Sequence, residues 1–554
     1  MIKILEGIES RAAMIGKNEI AASLLYGFIL EGAIEDPRLA WLIRPRKQSR
    51  SGRIAIVAML GGLFILGACH FPGMLQAQAR PSGRTVPNLL LIIADDQSGL
   101  WLGAAGDQRG ATPHLDALAR QGVLFDRTFC NSPLCTSSRQ SFITGLLPHA
   151  SGVTRLETRL PEKALTLGGW LSILGYRTAA IGKMHFNGPS RHGFDIRIDV
   201  AQWLAHLQQH PPEGGDHRKE WRPFIDPATV WLNARCEDHG LPTQAMESTF
   251  FVDRAIEYMN QNRGHPFAMI VSFYEPHAPF RFPREWRGRY RPKQFSVSPI
   301  SERDREEQPR IFHNLTDDDF RGIQAAYYTS LSFMDFQTGR LIQALEDSGL
   351  GSNTLVVFLS DNGYLLGQHG RVEKNCFYEP AVRVPLIMRW PGHLPQGKSI
   401  LDMVELVDLF PTVCRLLNVP APSALQGIDL APLIQGKPGA KGRDVVFSEY
   451  NESEEAMVRS DRFKLIVGSG RNERKDHLES GRPLSGPFQR LFDLERDPDE
   501  TIDLSGDARL EPVRNGLLHR MYERLVSTWI GPEPIPPGLS ELETIHWCLT
   551  PRDK

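Results

Sequence analysis

The stretch Asn88-Leu-Leu-Leu-Ile-Ile-Ala94, followed at once by Asp95-Asp96, decides the fold. An apolar run without alternation reads as a strand buried on both faces, the habit of parallel sheets in α/β proteins. Two runs of the same kind lie downstream. Phe267-Ala-Met-Ile-Val-Ser-Phe273 ends close to His277, and Thr354-Leu-Val-Val-Phe-Leu-Ser360 ends in Asp361-Asn362. Helical spacing fills the intervals. Thr112-Pro113-His114-Leu115 opens a helix through Gln121, with Thr112 as N-cap and Pro113 in the first helical position. Asp317–Asp347 places Phe320, Ile323, Tyr327 and Leu331 on one face behind a Thr316 cap. Strands alternating with helices predict an α/β fold, with a large mixed, mostly parallel sheet flanked by helices.

In open α/β sheets, ligands bind beyond the carboxyl ends of the strands. Here those ends carry Asp95, Asp96, Asp361 and Asn362, all hard oxygen donors. Three carboxylates crowded together repel one another unless a cation sits between them, and Ca²⁺ or Mg²⁺ suits oxygen-only coordination. One acidic pair alone reads equally well as a turn. Two pairs at two strand ends point to a metal.

The chain has 554 residues, room for one large domain and smaller ones. Lys and Arg total 63 against 65 Asp and Glu, a net charge of −2, which argues against a nucleic-acid or other general polyanion binder. Seven cysteines make no disulfide framework, and the odd number leaves at least one sulfur unpaired or modified. Near the start, the uncharged run Ile54–Cys69 follows Arg44, Arg46, Lys47, Arg50 and Arg53, a flank that stays on the cytoplasmic side. The run is shorter than the ~20 residues of a spanning helix and fits a signal-peptide hydrophobic region. Leu66-Gly67-Ala68-Cys69 resembles a bacterial lipobox, which would lipidate Cys69; Ala77-Gln78-Ala79 offers a competing cleavage site, and a retained anchor is the remaining reading. The expectation is an exported protein, periplasmic or membrane-associated, touching the membrane only through this segment or its lipid.

The stretch Cys130-Asn-Ser-Pro-Leu-Cys135-Thr136-Ser137-Ser138-Arg139-Gln-Ser-Phe-Ile-Thr144-Gly145 carries a more specific pattern. It resembles the sulfatase signature, C-x-P-S-R followed by a hydrophobic residue, Thr and Gly. Cys135, Ser138, Arg139, Thr144 and Gly145 fall in register. Cys130 does not qualify, because no Arg stands four residues after it. Ser137 occupies the family's Pro position, one of those read by the modifying enzyme. Further elements follow in family order: Gly182-Lys183-Met184-His185, Glu275-Pro276-His277-Ala278-Pro279, Ser360-Asp361-Asn362-Gly363, His369-Gly370 with Lys374, and Leu491-Phe492-Asp493-Leu494 with Asp497-Pro498-Asp499-Glu500. The match runs from about Pro87 to about Leu504.

The resemblance implies a sulfuric ester hydrolase with an alkaline-phosphatase-like fold. It implies that a formylglycine-generating enzyme oxidises Cys135 to formylglycine, whose hydrate attacks sulfur. It implies a divalent cation, Ca²⁺ with Mg²⁺ or Mn²⁺ as alternatives, held by Asp95, Asp96, Asp361, Asn362 and the group at position 135. Arg139 would hold the hydrate and His185 would accept a proton from its second hydroxyl. Lys183 and Lys374 would neutralise sulfuryl oxygens, and His277 or Lys374 would serve the leaving oxygen. His114 is read as structural, and His369 is kept off the catalytic set.

The substrate signals diverge. Lys183–Pro189 with His192-Gly193-Phe194 resembles choline-sulfatase-like enzymes, whereas Asp361–Gly370 looks more like glycan sulfatases, so the expected substrate is a small-molecule or glycan sulfate ester. The insertion Ala205–Glu247, with Trp221, Trp231 and His217, is expected to rim the pocket. A phosphonate monoester or phosphodiester hydrolase of the same superfamily is the alternative activity. The expected organisation is a leader over 1–84, a catalytic domain over 85–435 and a small α+β subdomain over 436–554. In the last, Val445-Val-Phe-Ser, Phe463-Lys-Leu-Ile-Val and Leu491-Phe-Asp-Leu pair into an antiparallel sheet under a helix from Leu510 to Trp529.

Overall fold

A computed structural model of the chain describes residues 86–212, 240–471 and 486–553. The expected leader, with the Ile54–Cys69 run, and the segment with His217, Trp221 and Trp231 lie outside the described residues. No helix among the described residues is long and apolar enough to cross a membrane.

The larger sheet has eight strands: β1 (Asn88–Ala94), β2 (Val123–Phe129), β3 (Arg177–Gly182), β4 (Ile196–Ile198), β5 (Phe267–Ser272), β6 (Thr354–Ser360), β7 (Arg383–Arg389) and β8 (Lys398–Glu405). Their spatial order is β4-β3-β5-β1-β6-β7-β2-β8. Only β7 runs against its neighbours, β6 and β2. All of β1 is buried, as its unbroken apolar run requires. Leu89, Leu91 and Ile93 join one core cluster, while Leu90 and Ile92, also buried, point the other way along the pleat. Each of these five side chains contributes roughly 1.5–3 kcal/mol by leaving water.

The helices that matter for the site are α1 (Pro113–Arg120), α2 (Cys135–Thr144), α3 (Glu247–Gln261) and α4 (Asp317–Asp347). Helix α4 has the expected bounds, and Thr316 caps it reciprocally with Asp319. Helix α1 corrects the capping expectation. Thr112 stands at the N-cap without making the cap bond; its hydroxyl accepts from the Gly103 amide and pairs with Asp116 instead. The Asp335 carboxylate of α4 takes over, accepting from the amides of His114 and Leu115.

The smaller sheet has four antiparallel strands, β9 (Val446–Tyr450), β10 (Glu455–Arg459), β11 (Phe463–Gly468) and β12 (Phe488–Asp493), in the order β12-β11-β10-β9. Strand β10, absent from the runs read in the sequence, lies between the first two of them. Helix α5 (Glu511–Thr528) lays Leu517, Met521 and Leu525 on Ala456, Val458, Leu465 and Leu491. A further helix, α6 (Glu541–Leu549), follows Pro534, Pro536 and Pro537 and starts at a Ser540–Glu543 capping box. Both sheets belong to one compact unit, Val86–Lys554.

Register places the site. Strands β3, β5, β1 and β6 are neighbours and parallel, and their last residues align: Gly182 with Ser272, Ile93 with Ser272, and Ala94 with Ser360. The segments beginning at Lys183, Phe273, Asp95 and Asp361 therefore leave the sheet side by side.

Candidate active site

At this edge the predicted residues meet. Arg139, from α2, is the hub. Its Nε donates to Asp361 Oδ2 at 2.6 Å, and one terminal nitrogen donates to the Lys183 carbonyl at 2.5 Å and to Ser272 Oγ at 2.7 Å. Its other terminal nitrogen lies 3.7 Å from Asp95 Oδ1. Lys183 Nζ pairs with Asp95 Oδ2 at 2.5 Å, and Lys374 Nζ pairs with Asp96 Oδ1 at 2.6 Å. Asn362 Nδ2 donates to that same Asp96 oxygen at 2.6 Å, and the Asp96 amide donates to Asp361 Oδ1 at 3.2 Å. Ser138 Oγ holds the Asp361 carbonyl at 2.5 Å.

The backbone is tuned for this convergence. Asp96 and His185 both have positive φ, 67° and 54°, a region that costs a non-glycine residue of order 1–3 kcal/mol. At Gly182 φ is 93°, and a Cβ there would stand 1.9 Å from the Ser272 carbonyl oxygen, so β3 can end against β5 only through glycine.

The electrostatics follow from burial. Burial alone would raise Asp95, but Lys183, His277, Arg139 and Lys374 together hold it well below the usual carboxylate range. Burial pushes Asp96 and Asp361 up, with Lys374 and Arg139 respectively pulling them back. Lys374 is held well above its ordinary value: burial opposes its charge, and Asp96, Cys135 and Asp95 more than compensate. His185 is held well below its ordinary value by burial and then by Lys183 and Arg139, and is neutral. His277 is pushed down to about 4 by burial, Lys374 and Lys183. Its Nδ1 lies 2.6 Å from the Ala278 carbonyl oxygen, so that nitrogen carries the proton, and the other, Nε2, stands 3.7 Å from Asp96 Oδ2.

Cys135 is the first residue of α2 and is buried. Burial pushes its thiol up to about 11 despite Lys374 and Lys183, so the unmodified side chain is protonated at neutral pH and a weak nucleophile.

The donor set fits a hard divalent cation. Asp95 Oδ1, Asp96 Oδ2 and Asn362 Oδ1 are buried oxygens without a hydrogen-bond donor among the described residues, and leaving such a group unmet costs roughly 1–3 kcal/mol. Donor atoms of Asp95, Asp96 and His277 all lie within 4.8 Å of one another, a span that two ligands at ~2.3–2.6 Å from one Ca²⁺ can cover. His277 thus joins the candidate donors, where the sequence placed it only with the catalytic residues. Asp361, by contrast, has Oδ2 on Arg139 and Oδ1 on the amides of Asp96 and Asn362.

Sequence reading passed over three supporting groups: Ser272, which ends an apolar run; Thr136, inside the quoted signature; and Tyr327, whose hydroxyl donates to the Asp96 carbonyl at 2.8 Å. His114 donates its amide to Asp335, in keeping with a structural role. His369 pairs with Asp304 at 3.0 Å and stacks on Tyr378.

A sheet edge that gathers buried acidic oxygens, three fixed cations and a helix-borne cysteine is the layout of an ester hydrolase. The sulfatase family model matches residues 87–419, and a model described as the C-terminal part of N-sulphoglucosamine sulphohydrolase matches residues 367–527. The chain belongs to the sulfatase family and is a sulfuric ester hydrolase. The Delta 4,5-hexuronate-2-O-sulfatase of Bacteroides thetaiotaomicron is 26% identical over 469 residues, covering 80% of this chain and 89% of that protein. The arylsulfatase of Clostridium perfringens is 27% identical over 451 residues, covering 76% and 90%. The solved phosphonate monoester hydrolase of Agrobacterium radiobacter superposes with a TM-score of 0.67 at 24% identity, covering 80% of this chain and 96% of its own, a likeness of fold.

Proposed function

We propose that the chain removes sulfate from a sulfated glycan, using formylglycine made from Cys135 by a formylglycine-generating enzyme and a divalent cation, Ca²⁺ first among the candidates. The observation that carries this reading is the setting of Cys135. It opens a buried helix within the field of Lys183 and Lys374, on the edge where Asp95, Asp96, Asp361 and Asn362 converge. Glycan as substrate class draws support from the relative named for hexuronate 2-O-sulfate and from the family model named for N-sulphoglucosamine. Export is part of the same reading and rests on Ile54–Cys69.

Bound together, formylglycine supplies a renewable hydroxyl nucleophile and the cation supplies positive charge beside it. Asp95, Asp96 and Asn362 offer the unmet oxygens that would hold the cation, whereas Asp361, engaged by Arg139 and two amides, would join them only by giving up one of those bonds. The chain's own groups do the rest. Arg139, a permanent cation, fixes Asp361 and with it the approach to position 135. Lys183 and Lys374 face the sulfuryl oxygens with positive charge. His185, neutral, accepts a proton. For the leaving oxygen the geometry favours Lys374 over His277, because neutral His277 spends its proton on the Ala278 carbonyl while Lys374 stays charged.

Peptide mass spectrometry across residues 128–147 tests the modification, expected as a loss of about 18 Da at Cys135 relative to the thiol. Purified enzyme is assayed on p-nitrophenyl sulfate, a sulfated uronic-acid disaccharide and a phenylphosphonate monoester. Cys135→Ala should lose on the order of 10³-fold or more in rate while melting like the wild type. Preference for the phosphonate, or turnover by Cys135→Ala, refutes the reading.

A further inference from the structure

The signature cysteine is followed by Thr136, and the structure gives that residue a task of its own. Thr136 Oγ1 donates its single proton to the Leu156 carbonyl at 2.8 Å, and lies 3.1 Å from His185 Nδ1. A hydroxyl has one hydrogen. With that hydrogen given to Leu156, Thr136 can only accept from the imidazole, so Nδ1 must be the protonated nitrogen. Nε2 is then left with a lone pair.

The acceptor that commits the threonine proton is held firmly. Asn187 Nδ2 also donates to the Leu156 carbonyl, at 2.7 Å, and to the Thr158 carbonyl at 3.0 Å. The Leu156 amide reaches Glu452 at 3.4 Å. The Asp553 carboxylate clasps the same loop through the Thr154 amide at 3.0 Å and the hydroxyls of Thr154 and Thr158. The backbone that carries the imidazole is held as well, since Gln140 Nε2 donates to the His185 carbonyl at 2.6 Å. Burial and the neighbouring Lys183 and Arg139 keep the ring neutral, the state in which tautomers matter.

We infer that Thr136 is a positioning residue: through the Leu156 carbonyl it locks His185 in the Nδ1–H tautomer and presents Nε2 as the proton acceptor of the reaction. The inference rests on the proposed role of His185. In that role Nε2 would take the proton of a hydroxyl at position 135, the group that formylglycine would supply there. With the other tautomer Nε2 would already carry a proton and could accept none.

Two measurements test this. In wild-type enzyme labelled with ¹⁵N-histidine, with His185 assigned by difference from His185→Asn, the imidazole nitrogens should report Nδ1 protonated and Nε2 bare at neutral pH. An Nε2–H pattern overturns the inference, and the reading does not depend on whether Cys135 has been converted. Kinetics give the second arm, with rates divided by the aldehyde content of each preparation. Thr136→Val, isosteric but without the hydroxyl, should lose about 10- to 100-fold in kcat with KM within about twofold, the scale of a misplaced general base. Thr136→Ser, which keeps the hydroxyl, should stay within about threefold of wild type. Equal kcat for Thr136→Val, or equal loss in both variants, refutes the positioning role. If His185→Asn keeps the wild-type kcat, the proposed role of His185 fails instead, and the tautomer measurement alone decides the positioning role.

Discussion

Replacing Arg139 by methionine removes a side chain that ties the converging segments together. The wild-type guanidinium makes bonds of 2.6 Å to Asp361, 2.5 Å to the Lys183 carbonyl and 2.7 Å to Ser272, and sits 3.7 Å from Asp95. Methionine fills a similar volume and restores none of them. Asp361 keeps its two amide donors but loses its charge partner in a buried setting. Breaking a buried pair from one side costs roughly 3–5 kcal/mol, because the surviving charge is left uncompensated. Arg139→Lys keeps the charge but cannot form the fork, so its loss should fall between wild type and Arg139→Met. Urea unfolding followed by circular dichroism measures both, using protein whose Cys135 is unmodified in all samples so that conversion does not enter. An unchanged midpoint for Arg139→Met, or a lysine variant indistinguishable from wild type, would falsify the view that this residue organises the edge.

Lys464 should behave comparably at the contact between the sheets: its Nζ reaches Glu500 at 2.6 Å, Glu379 at 2.9 Å and the Phe377 carbonyl at 2.8 Å, wholly buried. Lys464→Met is expected to lose roughly 3–5 kcal/mol by the same one-sided breakage, with Lys464→Met/Glu500→Gln recovering part of it; a neutral single variant contradicts this. Asp304 gives a pH test. Burial raises its pKa, but the His369 and Ser301 hydrogen bonds bring it down to about 2 from an ordinary 3.8. A depressed folded pKa means stability that is present above about 4 and lost as pH falls through about 2, so Asp304→Asn should show a shallower acid loss in that window; identical slopes count against the pairing. Finally, cation and anion binding should be coupled. Titrating Cys135→Ala with inorganic sulfate by calorimetry should give tighter binding in Ca²⁺ than in chelator, and equal affinities would show that the cation and the anion bind independently.

Much of the fold was legible because β1, β5 and β6 are buried on both faces, which leaves an unbroken apolar signature. Helix α4 was legible to the residue because its cap, period and length agree. Strand β10 was not, since Glu455-Ala-Met-Val-Arg is short and bounded by charges, and only its neighbours β9 and β11 make it a strand. Helix α6 was hidden behind prolines, although Ser540 and Glu543 spell a capping box. The failure of Thr112 to cap α1 was beyond reach, because Asp335 lies more than two hundred residues away. The site residues were found through motif order, whereas Ser272 and Tyr327 carry no local mark and emerge only from the packing of β5 and α4 against the acidic edge.

The geometry of the pairs carries a consequence for how the site binds its ligands. Lys183 is committed to Asp95, Lys374 to Asp96 and Arg139 to Asp361, each within 2.6 Å. A cation added to Asp95 and Asp96 competes with the two ammonium groups for carboxylate charge. Each ammonium then has more of its field and hydrogen-bonding capacity to offer an anion, and by linkage the anion returns the same favour to the cation. Carboxylates and bases arranged as mutual partners thus form one charge network, in which the strand register that aligns Gly182, Ser272, Ala94 and Ser360 sets the spacing. A sulfate monoester, bearing a single negative charge, suits such a network: it draws on the ammonium groups without having to displace them from their carboxylates entirely.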